Sequence, residues 1–404
     1  MRSAHGDVAA VFGLIILASV IAVHAWNTTP RHWSDPDSLF YRAAVLRIEG
    51  TSKAAALAEA VHSDIARTQR EYDSSKAPAD RRITNPAWVD YSSRFYERRW
   101  LVPLVGAALD PLFGANGLIV ASLIAYVLLG PFLFLLLRLR FRWQIAAAVT
   151  AIVLVLPLIR LWSTRPMTDM WGLALECLAL AAGLIALERG RRWIALWSLV
   201  VLTLSFTRDT TLVVVAGGLT AFLFQRDRRS AAVLVTGLAA ALPAPLIFGS
   251  SLREAAAYTV NDFYPPPNPS WSFVFSHLPV AIRSLVHHDL AYLQTHLVNA
   301  VAIVGGFAAL LACRRVLQTR TAFVFGAAAG SLVSLLLLPN YSEFRLELVV
   351  VPFSALGLAA AVAVAEEHRP LFRARSRPAR GAASEARSRR RLHPVGGSDS
   401  HRSR

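Results

Sequence analysis

Long apolar runs dominate this sequence and restrict what the chain can fold into. Ten of them reach or approach the length of about 20 residues with which a helix crosses the hydrocarbon layer of a bilayer. A single soluble core cannot absorb so much apolar sequence, because such cores stop growing at about 250–300 residues. The ten runs are Val8–Trp26, Ala115–Leu137, Gln144–Trp162, Met167–Leu187, Trp193–Phe206, Thr210–Phe224, Ala231–Phe248, Ala291–Cys313, Thr321–Leu338 and Leu346–Ala365. We therefore predict an all-α, polytopic membrane protein with about ten transmembrane helices.

Composition supports the same fold class. Of the 404 residues, 55% are hydrophobic and only 17% are charged, with a mean hydropathy of +0.44, whereas soluble chains carry about 25% charged residues. The formal net charge of +16 does not indicate a nucleic-acid partner, because eleven arginines lie between Arg369 and Arg404. We predict a transmembrane module over residues 1–366 and a disordered, basic cytoplasmic tail over 367–404.

Arginines in the loops predict the orientation of the spans. The four short loops after the second, fourth, sixth and eighth runs contain twelve arginines, while the opposite short loops contain only four. Positive residues mark the cytoplasmic side, so both termini are predicted to be cytoplasmic, in the cell (inner) membrane. If the apolar stretch Leu101–Phe113 crossed the membrane, every later loop would change sides and the arginine pattern would fail. We therefore expect this stretch to be a half-embedded helix at the outer face. The first run is as long as a full span, which favours an uncleaved anchor over a signal peptide.

Two segments on the predicted outer side are long. Residues 27–114 form the first, 88 residues in length, and residues 249–290 form the second, 42 residues in length. Loops beyond about 15 residues are uncommon unless they are functional or disordered. A helically spaced apolar stripe within the first indicates an interfacial helix; its members are Ala54, Leu57, Ala58, Val61 and Ile65. Chemistry is therefore expected on the outer side.

Two carboxylates, Asp35 and Asp37, follow the first span and flank Pro36. Such a pair could supply a general base or share a divalent cation. Equally, Asp35 before a proline is a good helix N-cap, and Asp37 would then complement the helix dipole. Both interpretations stay open, since one carboxylate can cap and catalyse at once.

Two further acidic residues belong to the fourth span. Arg165 and Asp169 stand at its outer start, and Glu176 follows Asp169 by seven residues, about two helical turns. Asp169 and Glu176 are therefore predicted to share one face. A carboxylate inside the bilayer is costly and usually functional or paired.

Arg208 and Arg345 lie in the other short outer loops. A guanidinium near the headgroups binds a phosphate bidentately without losing its charge. The alternatives are an ion pair with Asp209 or Glu343, or contact with an ordinary lipid headgroup.

Several motifs of other enzyme classes are absent from the sequence. It contains no Gly-rich phosphate loop and no nucleophile elbow, which argues against a nucleotide-driven pump or a soluble nucleotide-sugar domain. The histidines around Asp289 lack zinc-ligand spacing, so no metal site is predicted there.

The layout of one span, an acidic pair, a long outer loop and many further spans resembles the GT-C superfamily of integral-membrane glycosyltransferases. It is most similar to bacterial enzymes that take sugar from a polyprenyl-phosphate carrier. Short matching motifs lie at Asp37 with Tyr41, Phe95–Leu104, Arg165–Asp169, Leu204–Leu212 and Asn340–Pro352. The sequence Asp35-Pro36-Asp37 departs from the single acid or Asp-Glu of many members, so either aspartate could be the catalytic one. The spacing to Tyr41 fits the family better from Asp37, which is therefore preferred.

The resemblance implies an inverting sugar transfer on the outer face. Asp37 or Asp35 would deprotonate an acceptor hydroxyl on a glycan, a lipid or a protein. The departing lipid phosphate would be bound by arginines, with two further residues beside them; these site residues are Arg208, Arg345, Arg165, Asp169 and Tyr41. No cofactor is assigned with certainty, and a divalent cation could lie at Asp35 and Asp37. The alternatives are a membrane transporter, a polymerase or ligase of lipid-linked glycans, and a non-catalytic scaffold.

Overall fold

A computed structural model describes residues 2–28, 36–71, 82–248, 251–315, 321–339 and 346–375. Within these ranges the chain is helical and contains no strand. The chain divides into two units, the first ending at residue 361 and the second formed by residues 362–404.

The first half of the chain contains a terminal helix, four helices of the predicted outer loop, and a series of apolar helices. In order they are α1 (Arg2–Thr28), α2 (Pro36–Ile48), α3 (Lys53–Glu71), α4 (Pro86–Tyr96), α5 (Leu101–Phe113), α6 (Gly117–Arg138), α7 (Trp143–Val155), α8 (Pro157–Ser163) and α9 (Asp169–Arg189). A single 3-10 turn, Gly114–Asn116, joins α5 to α6.

The second half is similarly helical. Its helices are α10 (Arg191–Ser205), α11 (Thr211–Gln225), α12 (Arg228–Ala241), α13 (Pro243–Phe248), α14 (Leu252–Val260), α15 (Trp271–Thr295), α16 (Leu297–Ala300), α17 (Gly306–Ala312), α18 (Thr321–Leu337) and α19 (Val351–Arg375). A π-helical turn over Val301–Gly305 joins α16 to α17, and a 3-10 helix over Leu346–Val350 precedes α19.

The protein is an all-α membrane protein. In the described part of the chain, five helical stretches are long and apolar enough to cross a bilayer: His5–Thr28, Leu101–Arg138, Asp169–Arg189, Arg228–Phe248 and Leu348–Glu367. Two bent helix pairs, α7 with α8 and α15 with α16–α17, bring the number to seven if each pair is one span. Three further apolar helices, α10, α11 and α18, are shorter.

The two bends have different local causes. Leu156 adopts an extended backbone before Pro157, as residues before proline usually do, and α7 and α8 meet there at 63°. His296 leaves helical geometry between α15 and α16, which meet at 112°. The predicted eighth run, Ala291–Cys313, therefore straddles a bend, and its first residues belong to the end of α15.

Helix α9 is the most enclosed of the apolar helices. It packs against α6 and α10 and is buried around nearly its whole circumference, as expected of a helix that is apolar on all sides. Small residues permit this packing, since a Cβ placed on Gly183 would lie 2.5 Å from the ring of Phe323.

Helices α2, α3 and α4 share a separate apolar cluster. Phe40 of α2, Ala56 and Ala60 of α3, and Trp88 of α4 are buried in it. Leu57, from the stripe predicted to lie on a membrane surface, packs against this cluster instead of standing free. The cluster fixes α2 and α4 relative to each other, and the candidate site lies where these two helices meet the apolar bundle.

Residues 376–404, most of the predicted cytoplasmic tail, lie outside the described ranges. Helix α19 continues beyond the predicted boundary at residue 366.

Candidate functional site

A cavity of about 120 Å³ lies between the loop helices and the apolar bundle. Its polar wall comes from α2, from the end of α4 with the turn after it, and from the turn between α10 and α11; the opposite, mostly apolar wall comes from α14, α18 and the 3-10 helix before α19. The polar lining consists of Asp37, Tyr96, Arg98, Arg99, Arg208, Asp209, Thr210, Tyr258, Thr259 and Ser334. The cavity thus combines carboxylates, guanidinium groups and apolar surface.

Asp37 lies in the first turn of α2, which begins at Pro36. A proline at the first helical position and an acidic residue beside it are both favourable at a helix N-terminus, so the sequence places this carboxylate for reasons of local stability. Its side chain is half-buried and accepts a hydrogen bond from the hydroxyl of Tyr96. The predicted dipole partner therefore also points into the cavity.

Tyr96 is fixed by its aromatic neighbours. Its ring stacks on Phe40, with centroids 4.6 Å apart, and meets Tyr41 edge-on at 5.5 Å. Burial, and next the charge of Asp37, hold the pKa of the Tyr96 hydroxyl well above its ordinary value. The hydroxyl therefore stays protonated and donates to Asp37.

Tyr41 lies behind the cavity wall and is fully buried. Arg99 Nη1 donates to its hydroxyl oxygen at 2.8 Å, and the hydroxyl lies 3.0 Å from Thr168 Oγ1, at the entrance to α9. Tyr41 thus connects α2 both to Arg99 and to the start of α9, and it positions Arg99.

Arg98 and Arg99 follow α4 directly and share one carboxylate. Arg98 pairs with Asp209 Oδ1, and Arg99 Nη2 lies 3.3 Å from Asp209 Oδ2. Burial alone would raise the pKa of Asp209, but the charges of Arg98 and Arg99 outweigh it and lower that pKa below its ordinary value. Asp209 is therefore ionised throughout the neutral range.

Arg208 reaches the cavity from the same turn. It forms an ion pair with Asp169 at 2.8 Å, and Asp169 is completely buried at the start of α9. Gly172, one turn along α9, leaves room for the arginine, because a Cβ there would lie 2.8 Å from Arg208 Cδ. Asp169 thus fixes the guanidinium of Arg208, which also lines the cavity.

Two of the remaining predicted residues, Arg165 and Glu176, do not line the cavity. Arg165 is buried with its guanidinium 4.3 Å from the ring of Trp162, and it does not line the cavity. Glu176 is buried within α9, and its Oε1 has no hydrogen-bond partner among the described residues. Asp35 and Arg345 lie outside the described residues.

Two contacts join the two long predicted outer segments at this site. Trp88 Nε1 donates to the carbonyl oxygen of Phe263 at 2.6 Å, and the hydroxyls of Ser92 and Tyr258 lie 2.5 Å apart. Phe263 and its neighbour Asp262 both have positive φ angles, 57° and 54°. Bulky residues rarely adopt this conformation outside strained turns, and here it places Phe263 in the cavity wall.

The predicted divalent cation at Asp35 and Asp37 stays a prediction. Only Asp37 of the pair is described, and no group of three or more His, Cys, Asp or Glu side chains converges within the described ranges.

The cavity contains functional candidates that sequence reasoning did not assign to the site. Tyr96, Arg98 and Arg99 belong to an aromatic and basic run directly before the apolar stretch starting at Leu101, and that position was the available signal. The sequence indicates Asp209 only as an alternative ion-pair partner for an arginine. Together with Asp37 and Arg208 they form a site that can accept a proton and bind an anion side by side. No protein-family model matches the chain, and no curated protein sequence matches it.

Proposed function

We propose that the protein is a glycosyltransferase that moves a sugar from a polyprenyl-phosphate carrier to an acceptor hydroxyl at the outer face of the cell membrane. The observation that carries the proposal is that Asp37 and Arg208, from separate parts of the chain, line one cavity beside an apolar wall. A carboxylate base and a fixed cation are the two groups that such a transfer needs.

In the proposed reaction Asp37 removes the proton from the acceptor hydroxyl. The acceptor oxygen then forms a bond to the anomeric carbon of the sugar, and the bond from that carbon to the phosphate oxygen breaks with inversion. The electron pair leaves with the phosphate, so polyprenyl phosphate departs with an added negative charge. Asp37 carries the proton until it is released to water.

Arg208 supports the step by facing the developing phosphate charge. A cation that is already in position stabilises the transition state best, because it does not have to reorganise during the reaction. The buried carboxylate of Asp169, 2.8 Å from Arg208, fixes the guanidinium in this way. The apolar side chains Leu335, Leu338 and Val349 in the opposite wall suit the first units of a prenyl chain.

Topology supports the outer-face assignment. The five long stretches, the two bent pairs and the three shorter apolar helices give the proposed ten spans, provided that α5 is a half-embedded helix before the span α6. The twelve arginines of the short loops then lie on the cytoplasmic side, with both termini, and the cavity-lining residues of α2 and α4 belong to the outer segment.

A transfer assay tests the proposal. The full-length protein in detergent is given a panel of polyprenyl-phosphate sugars and cell-envelope extract as acceptor, and release of polyprenyl phosphate is measured by mass spectrometry. We expect Asp37→Asn to lower the rate by about 10²–10⁴-fold, the usual contribution of a general base. Asp90→Asn is the matched control, because Asp90 is exposed on α4 and does not line the cavity.

Two results would contradict the proposal. Unchanged transfer by a folded Asp37→Asn protein would remove Asp37 from the role of base. A wild-type protein that consumes none of the polyprenyl-phosphate sugars would remove the function itself.

A further inference from the structure

The pairing of Arg98 and Arg99 with Asp209 plays no part in the proton transfer proposed above. Both arginines lie in the turn that follows α4, and both line the cavity. The two carboxylate oxygens of Asp209 are divided between them, Oδ1 with Arg98 and Oδ2 with Arg99. A single carboxylate therefore bridges two guanidinium groups at the cavity surface.

This bridging is also the way in which guanidinium pairs bind phosphate. A phosphate group presents two oxygens at similar spacing and carries more charge than a carboxylate, and arginine forks match both groups. Each arginine has further donor capacity, since the Nε atoms of Arg98 and Arg99 are buried and have no hydrogen-bond partner within the described residues. A ligand with more acceptor oxygens than Asp209 could satisfy more of these donors.

The charge balance of the cavity favours an anionic ligand that displaces Asp209 over one that binds beside it. Among the described residues, three guanidinium groups and two carboxylates line the cavity. Arg208 is already neutralised from behind by Asp169, and Arg98 and Arg99 are compensated by Asp209. An incoming anion gains most at Arg98 and Arg99 if Asp209 leaves, because a second anion beside the carboxylate would be repelled.

The position of Asp209 allows its side chain to move away from Arg98 and Arg99. Its side chain is one-quarter exposed, more than either arginine, and it lies in the turn between α10 and α11 and not within a helix. Rotation of this side chain toward solvent would free both guanidinium groups without moving a helix.

We infer that Arg98 and Arg99 form the binding site for the phosphate group of the ligand, and that Asp209 is a displaceable counter-ion that occupies this site when no ligand is bound. The identification of the ligand as a lipid-linked phosphate rests on the proposed function. The anion site and the displacement of Asp209 rest on the ion pairs, on the unsatisfied Nε atoms of the two arginines and on the exposure of Asp209, and do not depend on the proposed function.

Binding of two probes to the full chain in detergent tests the inference. The probes are farnesyl monophosphate and inorganic phosphate, with dissociation constants measured by titration calorimetry. We expect Asp209→Asn to bind farnesyl monophosphate about tenfold more tightly, since the ligand no longer competes with a charged partner. Asp90→Asn, which changes the net charge equally but lies outside the cavity, is expected to leave affinity within about twofold. The double variant Arg98→Gln/Arg99→Gln is expected to bind farnesyl monophosphate at least tenfold more weakly.

Arginine modification of the wild-type protein provides a measurement that does not depend on the folding of any variant. Farnesyl monophosphate should slow the reaction of a dicarbonyl reagent with Arg98 and Arg99, but not with Arg253, which is exposed on α14 and does not line the cavity. Absence of protection would overturn the inference. So would a folded Asp209→Asn protein with unchanged or weaker affinity.

The outcomes separate this inference from the proposed function. Equal affinity for the two probes would overturn the assignment to a lipid donor. Tighter phosphate binding by Asp209→Asn together with full transfer by Asp37→Asn would uphold the anion site and refute the base. Unchanged phosphate binding by Asp209→Asn together with lost transfer by Asp37→Asn would uphold the base and refute the displacement of Asp209.

Discussion

Arg208 and Asp169 form an ion pair of 2.8 Å in which the carboxylate is completely buried. Asp169 opens the apolar helix α9, and Arg208 belongs to the turn between α10 and α11. The pair therefore joins two parts of the bundle beside the cavity, which Arg208 lines. It serves both stability and the position of a cation in the site.

Loss of one partner of this pair should destabilise the protein strongly. Removing one member of a buried pair typically costs about 3–5 kcal/mol, because the other charge is left without compensation. We expect Asp169→Ala to lower the midpoint of unfolding of the full chain in detergent clearly. The double variant Asp169→Ala/Arg208→Met should be destabilised less than Asp169→Ala alone, because it leaves no unpaired charge.

The control for this prediction is a second ion pair of similar length. Arg138 Nε and Asp7 Oδ1 lie 2.6 Å apart, but both side chains are one-third exposed. Such pairs contribute about 0–1 kcal/mol, so Asp7→Ala should change the midpoint little. Equal effects of Asp7→Ala and Asp169→Ala would contradict the importance of burial.

The fold class could be predicted from the sequence because apolar length is a local property. Runs such as Met167–Leu187 differ by only a few residues from the observed helix α9. The bend at His296 was missed, since nothing in the hydrophobic pattern marks a helix that turns by 112°. Burial of Leu57 against α2 and α4 was also missed, because an amphipathic stripe does not specify whether it faces lipid or another helix.

Single site residues could be predicted more easily than their partners. Asp37, Asp169 and Arg208 stand out because charges are scarce near apolar runs, and Arg208 and Asp169 do pair. Tyr96 and Arg99 act through contacts with Asp37 and Tyr41, which lie 59 and 58 positions away in the sequence. Such contacts depend on how α2 and α4 pack, which sequence spacing does not report. Arg165 lies near the predicted site in sequence but packs on Trp162 instead.

Substitution of Gly172 should displace Arg208 without unfolding the protein. A Cβ at this position would lie 2.8 Å from Arg208 Cδ, and the flexible arginine can shift more easily than the helix backbone. We expect Gly172→Ala to lower the transfer rate several-fold while changing the free energy of unfolding by about 1–3 kcal/mol. Gly13→Ala is the control, because its Cβ would meet nothing within 4 Å. An unaltered transfer rate in Gly172→Ala would show that the exact position of Arg208 is unimportant.

Tyr96→Phe should slow the reaction while leaving donor binding nearly intact. The hydroxyl donates to Asp37, whereas the Tyr96 ring, which the substitution keeps, is the part that packs on the guanidinium of Arg99, 5.0 Å away. A hydrogen bond to a charged group contributes about 1.5–3 kcal/mol, so the turnover rate is expected to fall roughly 10–100-fold with little change in KM. Tyr91→Phe, on the same helix but outside the cavity, should behave like wild type. A change confined to KM would argue against orientation of the base.

The stability contributed by Asp209 should vanish in acid. Its pKa is lowered in the folded protein from the ordinary value of 3.8, because the charges of Arg98 and Arg99 outweigh the opposing effect of burial. The ionised form therefore stabilises the folded state above that ordinary value, and the contribution is lost as the pH falls through the lower folded pKa. We expect the difference in unfolding midpoint between wild type and Asp209→Asn to be largest near neutral pH and to shrink below pH of about 4. A constant difference across this range would mean that the two ion pairs contribute nothing.

Labelling of single cysteines should place the cavity-lining loops outside the cell. Cys177 is buried and Cys313 is partly exposed, so the experiment uses a Cys313→Ala background. Ser52→Cys lies in the exposed turn between α2 and α3, and Arg228→Cys lies at the exposed start of α12, in a loop rich in arginine. Because arginine-rich loops remain cytoplasmic, an impermeant maleimide on intact cells should label Ser52→Cys alone, and permeabilised cells should show both. Labelling of Arg228→Cys in intact cells, with Ser52→Cys protected, would put Asp37 on the cytoplasmic side, where a donor presented at the outer leaflet cannot reach it.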